Sequence, residues 1–506
     1  MTTKEDIVEY MNLLAKALSL VHENEKLLTG YNSILHYKRY ETEIKKRMDR
    51  LWRKDLNNTS LFSAIINIID NIAKMEDFEK RIVQAVELCK WMDEKITYEQ
   101  EEYADNVRDK FSVYEMFPRN LNRNIVVFSL NNNVTDIKIW INPKFETFPI
   151  ISDINGETKE NIFANRDVFW GINKVLKHIC YFDANKYPQI NVKNVILNPC
   201  SFMMKSSLKI FFSPLSDKKN HLICDYPQIE YHDVKMEGIA IVGIEDEQSL
   251  SQRIKRDWEL ACDEDSDIFF APEMLGTAET CEFIDNKYNK MIMDYARDNI
   301  FSSVPKLTFL PSRWKDGHNN ILIFDSEGNI LCDYEKNIPY EDKKNHRIEA
   351  LVEHDSMQLV MFHIPGYHRI SILICAEFIY EQEPNLREFL CSCLQCTLII
   401  VPSYSKGETD FLNEVSSIMK YGTTVIWGNC CGAVSGTDKV IGCVKLVGND
   451  RVEMFGDFCK CEMHCQKITA CGFAIEIPLV LEKSKSKRTE CKNLVKHIVS
   501  STPISK

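Results

Sequence analysis

The chain has no apolar run long enough to span a bilayer. Its longest candidates, Ile239 to Val242 and Leu398 to Val401, are far short of the roughly 20 residues a membrane helix needs. The opening MTTKEDIVEY lacks the basic-then-apolar layout of a secretory signal. Net positive charge is also missing. With a formal charge of -12 over 506 residues, the chain repels phosphate backbones overall, which argues against broad binding to nucleic acid and leaves only a weak case for a nucleic-acid enzyme as partner. No phosphate-binding glycine loop, paired zinc-ligand spacing or fixed-period repeat occurs. The 19 cysteines are scattered, two of them adjacent at Cys430 and Cys431, and the chain is too long to be a small disulfide scaffold. These features predict a reduced, cytoplasmic protein of two or three domains.

The patterning divides the chain into four stretches. Residues 1–111 carry amphipathic helical stripes, such as Leu13, Leu14, Ala17, Leu18 and Val21, then Ile65, Ile69 and Ile72, then Ile82, Val86 and Cys89. They predict a helical bundle, with an assembly role as the sharper alternative. Residues 112–232 read as a small α/β region of unknown role, with short strands at Ile125–Phe128, Ile137–Ile141, Val195–Leu197 and Leu208–Phe212 and a helix through Val168, Ile172 and Ile179. Residues 233–481 alternate strand and helix, predicting a layered α/β fold. That stretch opens on a buried strand at Gly238–Gly243. A helix follows through Leu250, Ile254, Trp258 and Ala261. The tail, 482–506, begins with the charged run EKSKSKR and reads as loose.

Three residues in the third stretch share one chemistry. Glu273 ends Phe269-Phe270-Ala271-Pro272-Glu273, Lys336 ends Cys332-Asp333-Tyr334-Glu335-Lys336, and Cys375 follows the apolar run Ile370 to Ile374. Each lies at the end of an apolar strand, where an open α/β sheet presents side chains to a ligand. A thiol attacks a carbonyl or nitrile carbon as its thiolate. A carboxylate accepts that proton, returns it to the leaving amine and then activates water. A buried ammonium stabilises the oxyanion. Taken singly, a strand-end cysteine is usually a small core residue. The order and placement of all three carry the reading, which predicts a thiol more readily alkylated than most of the other cysteines.

This ordered set resembles the nitrilase superfamily of carbon–nitrogen hydrolases. The matching features are Pro272-Glu273, a glycine-bearing hairpin turn ending in Tyr334-Glu335-Lys336, Cys375-Ala376-Glu377 followed by Pro384 and Arg387, Val401-Pro402-Ser403, and Asn429 to Gly432. The resemblance covers roughly the last half of the chain. It departs at Ala376, where the family carries an aromatic residue. It implies a nitrilase-like αββα sandwich over 233–481 and hydrolysis of a small amide or nitrile through a covalent intermediate on Cys375. It also implies self-association into a homo-oligomer and no cofactor or metal. A second glutamate between lysine and cysteine is implied too, with Glu349 favoured by its spacing over Glu341. Cys459, Cys461, His464 and Cys465 interrupt the pattern and are read as reduced loop residues rather than zinc ligands, because their spacing is not paired. A binding or sensing module with little turnover, assembled through the N-terminal helices, is the competing reading.

Overall fold

The computed structural model describes residues 4–23 and 36–97, strand segments between 111 and 183, and residues 190–215, 222–290, 304–446, 452–456, 470–478 and 494–500, apart from scattered interior positions. Most of the helix expected through Val168, Ile172 and Ile179, Pro384, and the group Cys459, Cys461, His464 and Cys465 lie outside the described residues, but Ile179 opens a strand, Ile179–Asp183, rather than continuing that helix. Contacts divide the chain into two compact units, the first mainly residues 1–188 and the second mainly residues 189 onward. No described helix is long and apolar enough to cross a membrane.

Among the described residues, the first unit has the α-helices α1 (Lys4–Glu23), α2 (Tyr37–Trp52), α3 (Asn58–Ala73) and α4 (Phe78–Glu94). The expected stripes are its core: Leu14, Leu18, Ile65, Ile69, Ile82 and Val86 are all buried. Two helices start at side-chain caps, Asn57 accepting from Ser60 N at 2.9 Å and Asp77 from Lys80 N at 3.0 Å. The Tyr10 hydroxyl donates to the Met92 carbonyl at 2.8 Å, tying the first helix to the last.

The second unit holds β1 (Ile190–Ile196), β2 (Ser207–Phe212), β3 (Leu222–Asp225), β4 (Gln228–Tyr231), β5 (Val234–Ile244), α5 (Glu247–Asp263), β6 (Ile268–Phe270), β7 (Leu307–Phe309), β8 (Arg313–Lys315), β9 (His318–Asp325) and β10 (Ile330–Glu335). It continues with β11 (Glu341–Asp342), β12 (Arg347–Glu349), β13 (Met357–Ile364), β14 (His368–Ile372), α6 (Ala376–Ile379), β15 (Leu398–Ser403), α7 (Thr409–Ser417), β16 (Thr424–Asn429), β17 (Gly442–Lys445), β18 (Glu453–Phe455), β19 (Ala470–Pro478) and β20 (Val495–Ser500). One large sheet runs β8-β9-β7-β6-β2-β19-β20, with β10 also on β9. Another includes β18-β17-β16-β15-β14-β13-β1. A smaller sheet runs β4-β5-β12-β11, with β3 also on β5.

Aromatic side chains join the two large sheets. Phe309 of β7 meets Phe362 of β13 edge-on at 5.6 Å, and Phe212 of β2 meets Phe455 of β18 at 6.0 Å. Such pairs bury large areas in preferred tilted or offset geometries. Helix α5 docks on the first sheet. Its Trp258 Nε1 donates to Thr308 Oγ1 at 3.1 Å, and its Asp257 accepts from Ser213 Oγ at 2.6 Å and from Cys471 N at 2.9 Å. Asp246 caps that helix through Ser249 N, and Leu250, Ile254, Trp258 and Ala261 are buried as the spacing predicts. Helix α7 lies on the second sheet, Phe411 stacking on Trp427 at 4.9 Å.

Three placements differ from the sequence reading. Strands β1 and β2, assigned above to a separate region ending at 232, are members of the two large sheets. The stretch expected to be a loose tail contains β20, which pairs antiparallel with β19 from Val495 opposite Ile475 to Ser500 opposite Ala470. Its alternation was masked by the lysine-rich run before it. The Gly238–Gly243 segment is a strand, but it belongs to the small sheet and leaves Val242 62% exposed, so it is not a fully buried strand.

Two tests follow from this packing. A Cβ added at Gly428 would stand 2.5 Å from the Phe212 ring, between the sheets. Gly428→Ala is expected to lower stability by about 1–3 kcal/mol, read from urea midpoints. The second concerns acid. Burial lowers His368 to about 4 and His363 to about 3, from 6.5. The unfolded chain binds these protons and the folded chain does not. Stability is therefore intact above about pH 6.5 and falls as pH drops toward 4, by up to about 1.4 kcal/mol per pH unit per histidine. His368→Gln, which can still meet Thr397 Oγ1 and the Pro478 carbonyl, is expected to shrink the midpoint difference between pH 7 and pH 5. An unchanged difference would show that His368 titrates alike in both states.

Candidate active site

Four strand ends deliver four titratable side chains to one buried place. Glu273 follows β6, Lys336 follows β10, Glu349 closes β12 and Cys375 follows β14. The Lys336 ammonium donates to Glu273 Oε1 at 2.7 Å and to Glu349 Oε2 at 2.6 Å. The Cys375 thiol hydrogen-bonds the Glu273 carboxylate. Glu273 and Lys336 are each 1% exposed, Glu349 2% and Cys375 4%.

Charges buried this deeply persist only when their donors and acceptors are satisfied. Asn319, which the sequence reading did not single out, bridges the carboxylates. Its Nδ2 donates to Glu273 Oε1 at 3.0 Å and to Glu349 Oε1 at 3.2 Å. Its own carbonyl accepts from Lys336 N at 2.9 Å. The backbone completes the set, Tyr404 N donating to Glu273 Oε2 at 3.2 Å and Tyr340 N to Glu349 Oε2 at 2.9 Å. Glu341, the other candidate for the second glutamate, is only half-buried, and its backbone N–H donates to the Tyr380 hydroxyl at 2.7 Å. Glu349, not Glu341, accepts the hydrogen bonds that Lys336 and Asn319 donate.

Burial works against the Lys336 charge, but Glu273, Glu349 and Cys375 together hold its pKa well above the usual value. Burial pushes Glu349 up, with the Glu273 carboxylate adding to it and Lys336 opposing. Burial and then the Glu273 carboxylate push the Cys375 thiol well above its usual value, with Lys336 opposing. Burial and the neighbouring carboxylate therefore favour the thiol over the thiolate at Cys375. The sequence reading expected an activated thiolate; burial first, and the adjacent carboxylate second, outweigh the ammonium that would favour one.

Cys375 has φ 48° and ψ -102°, outside the usual regions for a residue with a side chain. Such strain costs on the order of 1–3 kcal/mol and is held by its surroundings. Here Cys375 N donates to the Pro402 carbonyl at 3.0 Å. Glu377, read from sequence as a backbone-binding residue, braces the same turn. It accepts from Ile374 N and Asn337 N, each at 2.6 Å, from Asn337 Nδ2 at 2.7 Å and from the Tyr334 hydroxyl at 2.9 Å. Burial raises its pKa to about 7 against these donors. It thus ties the turn holding Cys375 to the strand holding Lys336. Arg387 donates to the Phe378 carbonyl at 3.0 Å and pairs with Glu414, bracing the chain beyond the turn.

No family model and no curated protein matches the chain. Solved structures do. An amidase from Nesterenkonia sp. is 15% identical, with a TM-score of 0.31, over 52% of this chain and 97% of its own. The C. elegans NitFhit protein is 15% identical, with a TM-score of 0.32, over 50% of this chain and 59% of its own. Saccharomyces cerevisiae Nit3, described as a member of branch 10 of the nitrilase superfamily, is 12% identical, with a TM-score of 0.31, over 50% of this chain and 87% of its own. Over about half its length, the chain is similar to solved carbon–nitrogen hydrolase structures of the nitrilase superfamily.

Proposed function

We propose that this chain is a thiol-dependent hydrolase of a non-peptide carbon–nitrogen bond, an amide or a nitrile, acting through a covalent intermediate on Cys375. One observation carries the reading: a thiol, two carboxylates and an ammonium, separated by up to 102 residues in sequence, meet in one buried hydrogen-bonded cluster. In this reading residues 233–481, with β1, β2 and β20, form a nitrilase-like αββα sandwich. The inter-sheet ring contacts and the seats of α5 and α7 support it.

The chemistry follows from the protonation states. As Cys375 Sγ bonds to the substrate carbon, its proton passes to Glu273. Charge develops on the substrate oxygen or nitrogen, and the Lys336 ammonium stabilises it in a site that excludes water. With an amide, protonated Glu273 then delivers its proton to the departing amine and a thioester remains; with a nitrile, protonated Glu273 delivers its proton to the substrate nitrogen to give a thioimidate, from which a first water displaces ammonia to leave the same thioester. Glu273, again a carboxylate, activates the water that releases the acid. Glu349 holds Lys336 in position and keeps its charge.

Cys375→Ala is expected to abolish turnover of a small-molecule amide and nitrile panel, by about a thousandfold or more. Mass spectrometry of the unmodified protein after brief incubation should locate an acyl adduct on Cys375. Unchanged turnover in the variant would defeat the reading. For the second glutamate, Glu349→Gln is expected to lower kcat by roughly 100-fold, whereas Glu341→Gln stays within about threefold of the parent. Steady-state kinetics on the two variants decide between them.

A second reading, a sensing domain with little turnover, draws on a separate feature. A cavity of about 370 Å³ is lined by Thr277, Arg313, Lys315 and neighbouring side chains and by none of the four cluster residues. A metabolite that raises thermal stability without product, and equally in Cys375→Ala, would favour it.

A further inference from the structure

Glu335, the residue before Lys336, carries two histidines on one carboxylate. His318 Nδ1 lies 2.5 Å and His354 Nε2 lies 2.8 Å from the same oxygen, Oε1. Among the described residues, these three form the group whose potential ligand atoms all lie within 4.8 Å of one another. All three reach solvent, with side chains 39%, 23% and 41% exposed for His318, Glu335 and His354.

We propose that His318, Glu335 and His354 bind a divalent transition-metal ion of the zinc class. Two imidazole nitrogens and one carboxylate oxygen make a three-ligand set that zinc accepts, with water in the fourth position. Hard cations such as magnesium prefer oxygen donors. Metal–ligand bonds of about 2.0–2.2 Å place tetrahedral ligands about 3.3 Å apart. The observed 2.5 and 2.8 Å contacts therefore need to open by less than an ångström to admit the ion. His354 lies beyond the last residue of β12, in a loop that the Val352 N to Gly317 O bond at 2.9 Å holds beside His318. His318 also lines the 370 Å³ cavity, which gives the ion and its water an open approach. Asp333 lies close enough to interact electrostatically with both His318 and Glu335, and its negative charge favours a cation there.

The backbone makes this site more than a surface ornament. His318 precedes Asn319, Glu335 precedes Lys336, and His354 follows Glu349 by five residues. In the β9–β10 hairpin successive side chains point to opposite faces. The proposed ligands on it therefore alternate with members of the buried cluster, and an ion bound outside clamps the segments that hold the charges inside.

The test uses the full-length protein, reduced and stripped with a chelator. Zinc is titrated by calorimetry and cobalt(II) by absorption. The parent is expected to bind one equivalent with nitrogen and oxygen ligands and to gain thermal stability. The double variant His318→Ala/His354→Ala is expected to lose affinity by at least about tenfold and to show no metal-dependent stabilisation. Glu335→Gln should weaken binding in the same direction, with circular dichroism confirming that both variants fold. Equal binding by parent and double variant would overturn the proposal. So would a thiolate-to-cobalt charge-transfer band, which would put the ion on some of the 19 cysteines instead. Binding is read without turnover, so the result is independent of the chemistry assigned to Cys375.

Discussion

A lysine ammonium buried between two carboxylates is the constraint to which the second unit is fitted. Removing such ions from water costs several kcal/mol each, and attraction alone does not offset this unless the remaining hydrogen-bonding positions are filled. Here they are filled from separate segments: Asn319 from β9, Tyr340 from the approach to β11, and Tyr404 from the end of β15. The strand ends must therefore stay in register with one another, because a shift in any one strands a buried charge. Leaving one partner of such a set alone typically costs about 3–5 kcal/mol. The parallel pairings of β6 with β2 and β7, and of β15 with β14 and β16, supply that register from the sheets outward.

The same cluster decides how a thiol is activated. Where a cysteine faces a cation alone, its thiolate is favoured at rest. In this structure the ammonium is shared between two acids and the thiol faces one of them, and burial together with that acid favours the thiol over the thiolate. In the proposed mechanism Glu273 is the base, because it lies against the thiol.

The residues legible from sequence are those whose strand announces them. Cys375 and Glu273 follow runs of Ile, Leu and Phe, and Lys336 follows a hairpin with Gly328 in its turn at φ 83°. Glu349 closes a three-residue strand between charged stretches, and local pattern gives it no mark; it entered only through resemblance and order. Asn319 lies in His-Asn-Asn after a glycine turn, a composition that reads as loop, so its bridging role was not visible. Strands β1, β2 and β20 were misplaced for a related reason. Strand pairing over long separations leaves no local signature, and β20 joins its sheet only through β19.

The turn at Cys375 shows why a strained residue is stable there. Strand β14 ends at Ile372, and an extended continuation would point residue 375 along the sheet rather than out of it. The positive φ at Cys375 breaks that line and delivers the sulfur to Glu273 while α6 begins. The bonds that hold the turn are independent of the ones that hold the charges: Pro402 O takes Cys375 N, and Glu377 takes Ile374 N. Glu377 also takes Asn337 N and the Tyr334 hydroxyl, next to Lys336. One buried carboxylate thus fixes the distance between nucleophile and ammonium without touching either. A substitution at Glu377 acts on the turn that carries Cys375 and on its tie to the Lys336 strand without removing any of the four cluster side chains, which separates positioning from chemistry within a single site.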